Sequence, residues 1–573
     1  MFRPFRVVTL ILFTLYLAGC ATYGQDVRSG LALAQNGQFE QAASAIEQAL
    51  DPKGDDRLLY YTELGVVYHL AGDYEKSNRL LASAERIAED LYTKRIGDML
   101  SVAMSNPRQG VYRAADFERV FINYYKALNY FMMAANGQTR AQKERALEGA
   151  RVESRRMDMI LRSIEHKQGS YQEQADKEKS MFSKLMRIFE MISGEIIDKN
   201  KIVYRNDAFG HYLAGVIYEQ HREYDDARVA YQKAASLYEG GYQQQYGLDS
   251  NMTEQAWFDT IRMMQEAGGW KNEWPSLSRS KLSKSKRAQL RDFKRNGHLL
   301  VIEHSGLVPE RDEMNLMLHA DLNTREVVVS PILTGNQQRQ LDQRFWFFAL
   351  YADKGIKDVL SAAYEERMVP AILQFGLVKR EYLGPLWGVA DGLGLVNVLK
   401  DGMRITVPYY RLSDFTRSGA STLKVNGESQ QLILGQSVSN LAIQQQLLSA
   451  SRDMQEAMAR AAFKNLSAAQ AASLGGGASA VLGFIGKIAA NASSAAETRN
   501  WLLLPKQIKI TRIALPPGQH AVSLASELSG GQSSLHSTRV DIEAGKMSVW
   551  KVRSFAHKRA APKAEASVQQ AGL

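Results

Sequence analysis

Cysteine is nearly absent: the 573-residue chain has one, Cys20. A lone thiol excludes an internal disulfide, a CxxC redox pair, an iron–sulfur site and a cysteine-based zinc site. Catalytic signatures are missing too. There is no HExxH among the ten histidines, no GxSxG elbow and no GxxxxGK[ST] phosphate loop, since Gly486-Lys487 is followed by Ile488. Leu528-Ser529-Gly530-Gly531-Gln532 spells the ABC-ATPase signature, but without that phosphate loop it is expected to be a hairpin turn. His298, His304 and His319 lie near Glu303, Glu310 and Asp312 without a defined ligand spacing, so no metal and no cofactor is expected. A mean hydropathy of −0.30 argues against a polytopic membrane protein.

What is present starts at the N-terminus. Arg3 and Arg6 precede an apolar run, Val7 to Tyr16, too short to span a bilayer comfortably. It leads into Leu17-Ala18-Gly19-Cys20. This resembles the bacterial lipobox, which implies cleavage after residue 19, acylation of Cys20 and attachment to a membrane. Several acyl chains anchor stably because each buried methylene contributes about 0.8 kcal/mol. Ala21, rather than Asp, follows the cysteine, a pattern similar to outer-membrane sorting. The expected location is the outer membrane, facing the periplasm.

The mature chain from residue 20 exceeds one domain of about 100–200 residues. Tyr61, Leu64, Gly65, Tyr68, Gly72, Tyr74, Ser77, Leu81 and Ala84 have offsets that resemble the tetratricopeptide (TPR) helix-turn-helix. Gly30, Gly37, Phe39, Ala42, Ile46 and Ala49 repeat the frame 35 residues earlier, and Ala214, Gly215, Tyr218, Tyr224, Ala227, Tyr231 and Ala234 form a third copy. A degenerate pair is predicted from Phe117 to Tyr130, with Ala146 and Ala150 on its partner. In TPR superhelices the first helix of each pair lines the concave face. The matching positions here, Thr62, Val66, His69, Tyr212, Val216, Glu219 and Gln220, are the expected partner-binding groove.

From Leu277 to Arg295 there are eight basic residues against Asp292 alone, so this stretch carries seven of the chain's ten net positive charges. It reads as a basic connector, able to meet lipid phosphate or an acidic protein; export argues against nucleic acid as a partner. Beyond it the hydrophobic period shifts to alternation at Leu299–Ile302, Leu316–Leu318, Val327–Val329, Ile405–Val407 and Leu432–Leu434. Four more strands are predicted between Ile508 and Val552. The expected fold class is therefore α+β and multidomain. Its parts are a signal peptide (1–19), a TPR-like α-solenoid (20–275), a basic connector (276–297), a sandwich-like β-rich domain (298–556) and a disordered tail (557–573). Helical insertions are expected at about 340–400 and 437–500, the second containing the uncharged stretch from Asn465 to Gly486.

Several blocks together resemble a family of TPR-containing lipoproteins of the Gram-negative outer membrane. They are Phe117-Glu118-Arg119-Val120 with Asn123-Tyr124-Tyr125, Gly306 with Pro309, Val407-Pro408, Thr498-Arg499 with Trp501 and Leu504-Pro505, and Leu515-Pro516-Pro517-Gly518-Gln519-His520. Glu497 and Leu502-Leu503 depart from that pattern. The resemblance implies architecture, location and an envelope-assembly setting; it implies no activity, and none is expected. Arg499 and Trp501 remain a possible ligand contact by bidentate pairing and stacking, or else an internal ion pair and a core filler. Two functions stay open: an interaction scaffold binding an envelope protein through the repeats, and a glycan- or peptidoglycan-binding lipoprotein using the β-rich domain.

Overall fold

Three glycines set how closely the first helices pack. The computed structural model describes residues 23–94, 107–108, 110–166, 181–193, 207–351, 378–412, 419–465, 495–528 and 532–555. The expected signal segment, Cys20, the stretch from 466 to 494 and the tail beyond 555 lie outside them. After one turn at Tyr23–Asp26, the helices are α1 (Arg28–Gln35), α2 (Phe39–Ala49), α3 (Arg57–Ala71), α4 (Tyr74–Lys94), α5 (Asp116–Asn136), α6 (Arg140–His166), α7 (Met181–Ser193), α8 (Ala208–Gln220), α9 (Tyr224–Leu237) and α10 (Asn251–Ala267). A methyl group on Gly30 would stand 2.7 Å from Ile46 Cγ1, one on Gly65 2.7 Å from Leu81 Cδ2, and one on Gly215 2.6 Å from Tyr231 Cδ1. In each hairpin the glycine meets the residue sixteen positions later, so three hairpins share one contact. The degenerate α5–α6 pair keeps the contact with roles exchanged: Tyr130 on the first helix fills the space beside Gly149 on the second.

Consecutive helices pack on one another from α1 to α6 and again from α8 to α10, with α6 joined to α8. Two buried polar residues of α5 are tied to neighbouring helices. Asn123 donates to Glu85 (2.7 Å) and Glu153 (2.9 Å), and Lys126 pairs with the same two carboxylates. The basic stretch is two helices, α11 (Trp274–Lys281) and α12 (Lys284–Arg295), rather than an extended linker; the Ser283 side chain caps α12 by accepting from the Lys286 amide.

The second half is built of three small sheets. Strands β1 (Gly297–Ser305), β2 (Arg311–Asp321), β3 (Glu326–Ile332), β4 (Lys379–Tyr382), β5 (Met403–Tyr410), β6 (Ser421–Val425), β7 (Glu428–Gln431), β8 (Ile433–Ser437), β9 (Gln507–Leu515), β10 (Gly518–Leu528), β11 (Gln532–Ile542) and β12 (Met547–Ser554) cover every predicted strand. Helices α13 (Gln337–Tyr351), α14 (Leu386–Gly392), α15 (Leu395–Lys400) and α16 (Val438–Asn465) interrupt them. One sheet has the order β4-β3-β2-β5, an outer sheet β11-β10-β6-β7, and a central sheet β12-β1-β9-β8. The last is not wholly antiparallel. β12 leaves its hairpin partner β11 and pairs in parallel with β1, His298 opposite Met547 through Ser305 opposite Ser554.

All nine residues of β1 are buried, because the central sheet is covered on both faces. Leu299 and Val301 pack with Leu423, Val522, Leu524 and Val552 against the outer sheet. Leu300 and Ile302 join the large core made with the helices. The central sheet thus fills the inner side of the helical array.

Gly215→Ala is expected to destabilise the protein by about 1–3 kcal/mol, as overpacking does. Tyr231 cannot swing away, since its hydroxyl donates to Glu219 at 2.8 Å. Urea unfolding of the purified variant measures the loss.

Candidate functional site

The expected groove is covered by the chain's own strands. Thr62, Val66, His69, Tyr212, Val216 and Glu219 are each less than a tenth exposed, and only Gln220 is partly accessible. The Gln220 amide donates to the Met547 carbonyl on β12 (3.0 Å), and His69 Nε2 lies 3.0 Å from Lys551 Nζ. The assignment of these seven positions as an open partner-binding surface is therefore corrected. They face the interior, with β12 against His69 and Gln220 and β9 against Glu219 where a partner was expected.

The strongest contact across this junction surrounds Arg512 of β9, whose side chain is wholly buried. Its guanidinium donates to Asp259 Oδ1 (2.7 Å) and Glu219 Oε2 (2.6 Å). Arg262 donates to Glu219 Oε1 (2.7 Å) and Asp259 Oδ1 (3.1 Å). The Tyr212 hydroxyl adds a bond to Asp259 at 2.6 Å. Two guanidinium groups and two carboxylates thus balance in charge. Burial alone would raise the pKa of Glu219, but Arg262 and Arg512 outweigh it and hold that carboxyl well below the usual range. His298 beside them is pushed down to about 4 by burial and by Arg512, which keeps it neutral.

A second junction binds an extended segment, Glu497 to Pro505. Glu63 on α3 accepts from the backbone amides of Leu502 (2.6 Å) and Leu503 (3.0 Å) and from the Tyr23 hydroxyl (2.8 Å). Glu118 on α5 accepts from the Trp501 amide (2.9 Å), the Ala115 amide (2.8 Å) and the Tyr112 hydroxyl (2.6 Å). Burial pushes the Glu63 carboxyl up to about 7 against the pull of its three hydrogen bonds. Arg499 is spent within the chain, donating to Asp56 (2.7 Å), the carbonyls of Pro107 (2.6 Å) and Gly110 (2.9 Å), and Glu497. The Trp501 ring is buried with its centroid 5.9 Å from that of Tyr125. The possible ligand contact at Arg499 and Trp501 is therefore also corrected: the first is an internal clamp, the second a core filler.

The histidine and carboxylate set is dispersed. His298 and His304 share the helix-facing side of β1, and Glu303 points to the opposite side. His319 is exposed on β2, Glu310 pairs with Arg411 (2.7 Å), and Asp312 pairs with Arg339 (2.9 Å). Among the described residues no group of three or more His, Cys, Asp or Glu is placed to hold a metal ion. None of their helices is long and apolar enough to cross a membrane.

Residue-level reading passed over Glu63, Glu118, Asp259 and Arg512. One signal was available: Glu63 and Glu219 are the lone acids in two predominantly apolar helices, α3 and α8, and a carboxylate so placed needs a buried donor.

No protein-family model matches the chain, and no curated protein matches it. Among solved structures it is similar to the crystal structure of BtubC (BKLC) from P. vanneervenii, with 15% sequence identity, 47% of this chain and 82% of that chain covered, and a TM-score of 0.25.

Two outcomes follow from the junctions. Arg512→Met leaves a net buried negative charge on Glu219 and Asp259, and is expected to cost about 3–5 kcal/mol in urea unfolding; adding Asp259→Asn should recover part of that loss. For Glu63, a folded pKa above the unfolded one means that its contribution is complete below about 4.5 and is lost as pH rises through about 7. Stability should fall across that window with a slope of up to about 1.4 kcal/mol per pH unit from this group, and Glu63→Gln should flatten it.

Proposed function

We propose that the protein is a lipid-anchored interaction scaffold of the bacterial outer membrane, held by acylated Cys20 and facing the periplasm, with a TPR-like helical array in its N-terminal half. It binds an envelope protein with an acidic surface and takes part in envelope assembly; its role is binding rather than catalysis. The repeat reading is supported by the recurring contact between a glycine and the residue sixteen positions on in three hairpins.

The observation that carries the scaffold reading is the placement of the two ends of β1. Tyr23, three residues after Cys20, docks on Glu63, and Gly24 lies against Glu310 and Leu502, beyond the Ser305 end of the strand. At the Gly297 end, Phe293 of α12 packs against His298, its ring centroid 5.4 Å away. Nine strand residues separate these ends by about 26 Å. Tyr23, the first described residue, thus lies at one end of β1 and the basic helix at the other, which supports an anchor and a contact surface set apart.

On α12, Leu290 and Phe293 turn inward and Lys284, Arg291, Lys294 and Arg295 are exposed, with no ion pair among the described residues. Lys284, Arg291 and Arg295 fall on one stripe opposite the buried side, since their spacings of seven and eleven return to the same helical face. The concave side is already filled, so the partner meets the outer surface, and this stripe is the charged part of it.

Cys20→Ser should release the protein from the membrane fraction, and retention there would overturn the anchor. A photocrosslinker at Ala288, exposed between Lys284 and Arg291 on the same stripe, should capture one protein in intact cells. Lys284→Glu with Arg291→Glu and Arg295→Glu should abolish that adduct. An adduct that survives charge reversal would overturn the basic stripe as the contact surface.

A further inference from the structure

Lys551 and Arg553 are two residues apart on β12, so both project from the same side of the strand toward the helices. Every other buried cation described above has a carboxylate beside it, and these two do not. Lys551 Nζ contacts His69 through Nε2 at 3.0 Å and through its carbonyl at 3.3 Å, and stands over the Tyr74 ring at 5.2 Å. Arg553 donates from one terminal nitrogen to the carbonyls of Gly306 (2.8 Å) and Leu503 (3.1 Å), and its Nε and other terminal nitrogen are buried without an aligned acceptor. The Tyr125 hydroxyl faces this guanidinium as a loosely aligned hydrogen-bond partner and has no other.

The groups in direct contact with the pair supply no negative charge; the nearest carboxylate acting on the cluster, Glu63, lies beyond Tyr125 and Leu503. His69 Nδ1 lies 2.5 Å from Asn129 Oδ1, and the Asn129 amide nitrogen is committed to Ser77 and Asn78, so Nδ1 carries the ring proton and Nε2 accepts from Lys551. His304 Nε2 is bonded to the Tyr124 hydroxyl at 2.7 Å. Burial keeps both imidazoles well below their ordinary pKa, hence neutral, and the hydroxyls of Tyr124 and Tyr125 above theirs. Burial and the Arg553 charge bring the Lys551 ammonium down to about 7. An unpaired buried charge costs several kcal/mol, and here Arg553 carries one beside a lysine that burial holds only partly protonated near neutral pH.

We propose that Lys551 and Arg553 form a binding site for a dianionic phosphate group, free or as a monoester. A dianion draws the proton back onto Lys551, and a guanidinium fork with an ammonium point charge is then the donor set suited to a phosphate's oxygens. Access is from the sheet edge, because β12 is the outermost strand of the central sheet and both residues remain partly exposed, although two guanidinium nitrogens of Arg553 are themselves buried.

The test is calorimetry on the full mature chain in detergent at pH 7.5, with inorganic phosphate in one arm and glycerol 3-phosphate in the other. Saturable one-to-one binding is expected, weakened at least about tenfold, or about 1.4 kcal/mol, by Lys551→Met and by Arg553→Met and unchanged by Lys546→Met. Binding of inorganic phosphate alone assigns a free ion; binding of both assigns a monoester. Phosphate should also raise the thermal midpoint of the unsubstituted protein and the pKa of Lys551 followed by carbon-13 NMR, readouts that need no folded variant. Absence of binding and of both shifts, or binding that persists in the two variants, overturns the site.

Discussion

Arg512 is the constraint on which the rest depends. A guanidinium with no solvent contact is tolerated only where carboxylates meet it, and both of its partners, Glu219 and Asp259, lie on helices far from it in sequence. β9 therefore cannot take its place in the central sheet without the helical array, and α8 and α10 cannot bury their acids without β9. Hydrophobic contact is non-directional; this junction supplies the register. It fixes which residues of β9 look inward, and through the pairing of β9 with β1 and of β1 with β12 it fixes the same choice across the sheet.

This interlocking marks the limit of what could be read from residues alone. Local signals were clear. Gly65 with Leu81 and Gly215 with Tyr231 showed their spacing within single hairpins, and Leu299 to Ile302 and Ile508 to Ile513 read as strands from their own apolar runs. The change from helix to sheet near residue 297 was visible as a change of period. The fate of the concave face was not, because it is decided by pairs such as Glu219 with Arg512, which lie 293 residues apart. Thr62, Val66 and Tyr212 have the mixed composition of a peptide groove and are buried within the chain, and their neighbour Glu63 does receive a distant segment. Leu502 and Leu503, whose place in the family pattern is usually polar, rest with their amides on Glu63. What distinguishes a groove for a partner from one for the chain's own segment lies in that distant segment.

The two ends of the central sheet differ in how charge is handled. Around Arg512 opposite charges cancel, every carboxylate oxygen has donors, and the result is rigidity. Around Lys551 and Arg553 the surroundings are neutral imidazoles and phenols, and positive potential is left standing at an edge strand. A fold that balances its buried charges closely in one place and leaves two unopposed nearby holds a stabilising device and a receptive one within a single sheet.

The parallel pairing of β12 with β1 bears on how the protein is made. β1 is the first strand of the chain and β12 the last among the described residues, so the middle of the molecule is closed by a piece that emerges at the end of synthesis. Until Met547 to Ser554 are in place, one edge of β1 has no partner strand and His69 and Gln220 lack their contacts with β12. A copy truncated before Met547 would leave His298 to Ser305, the first strand among the described residues, without its parallel neighbour.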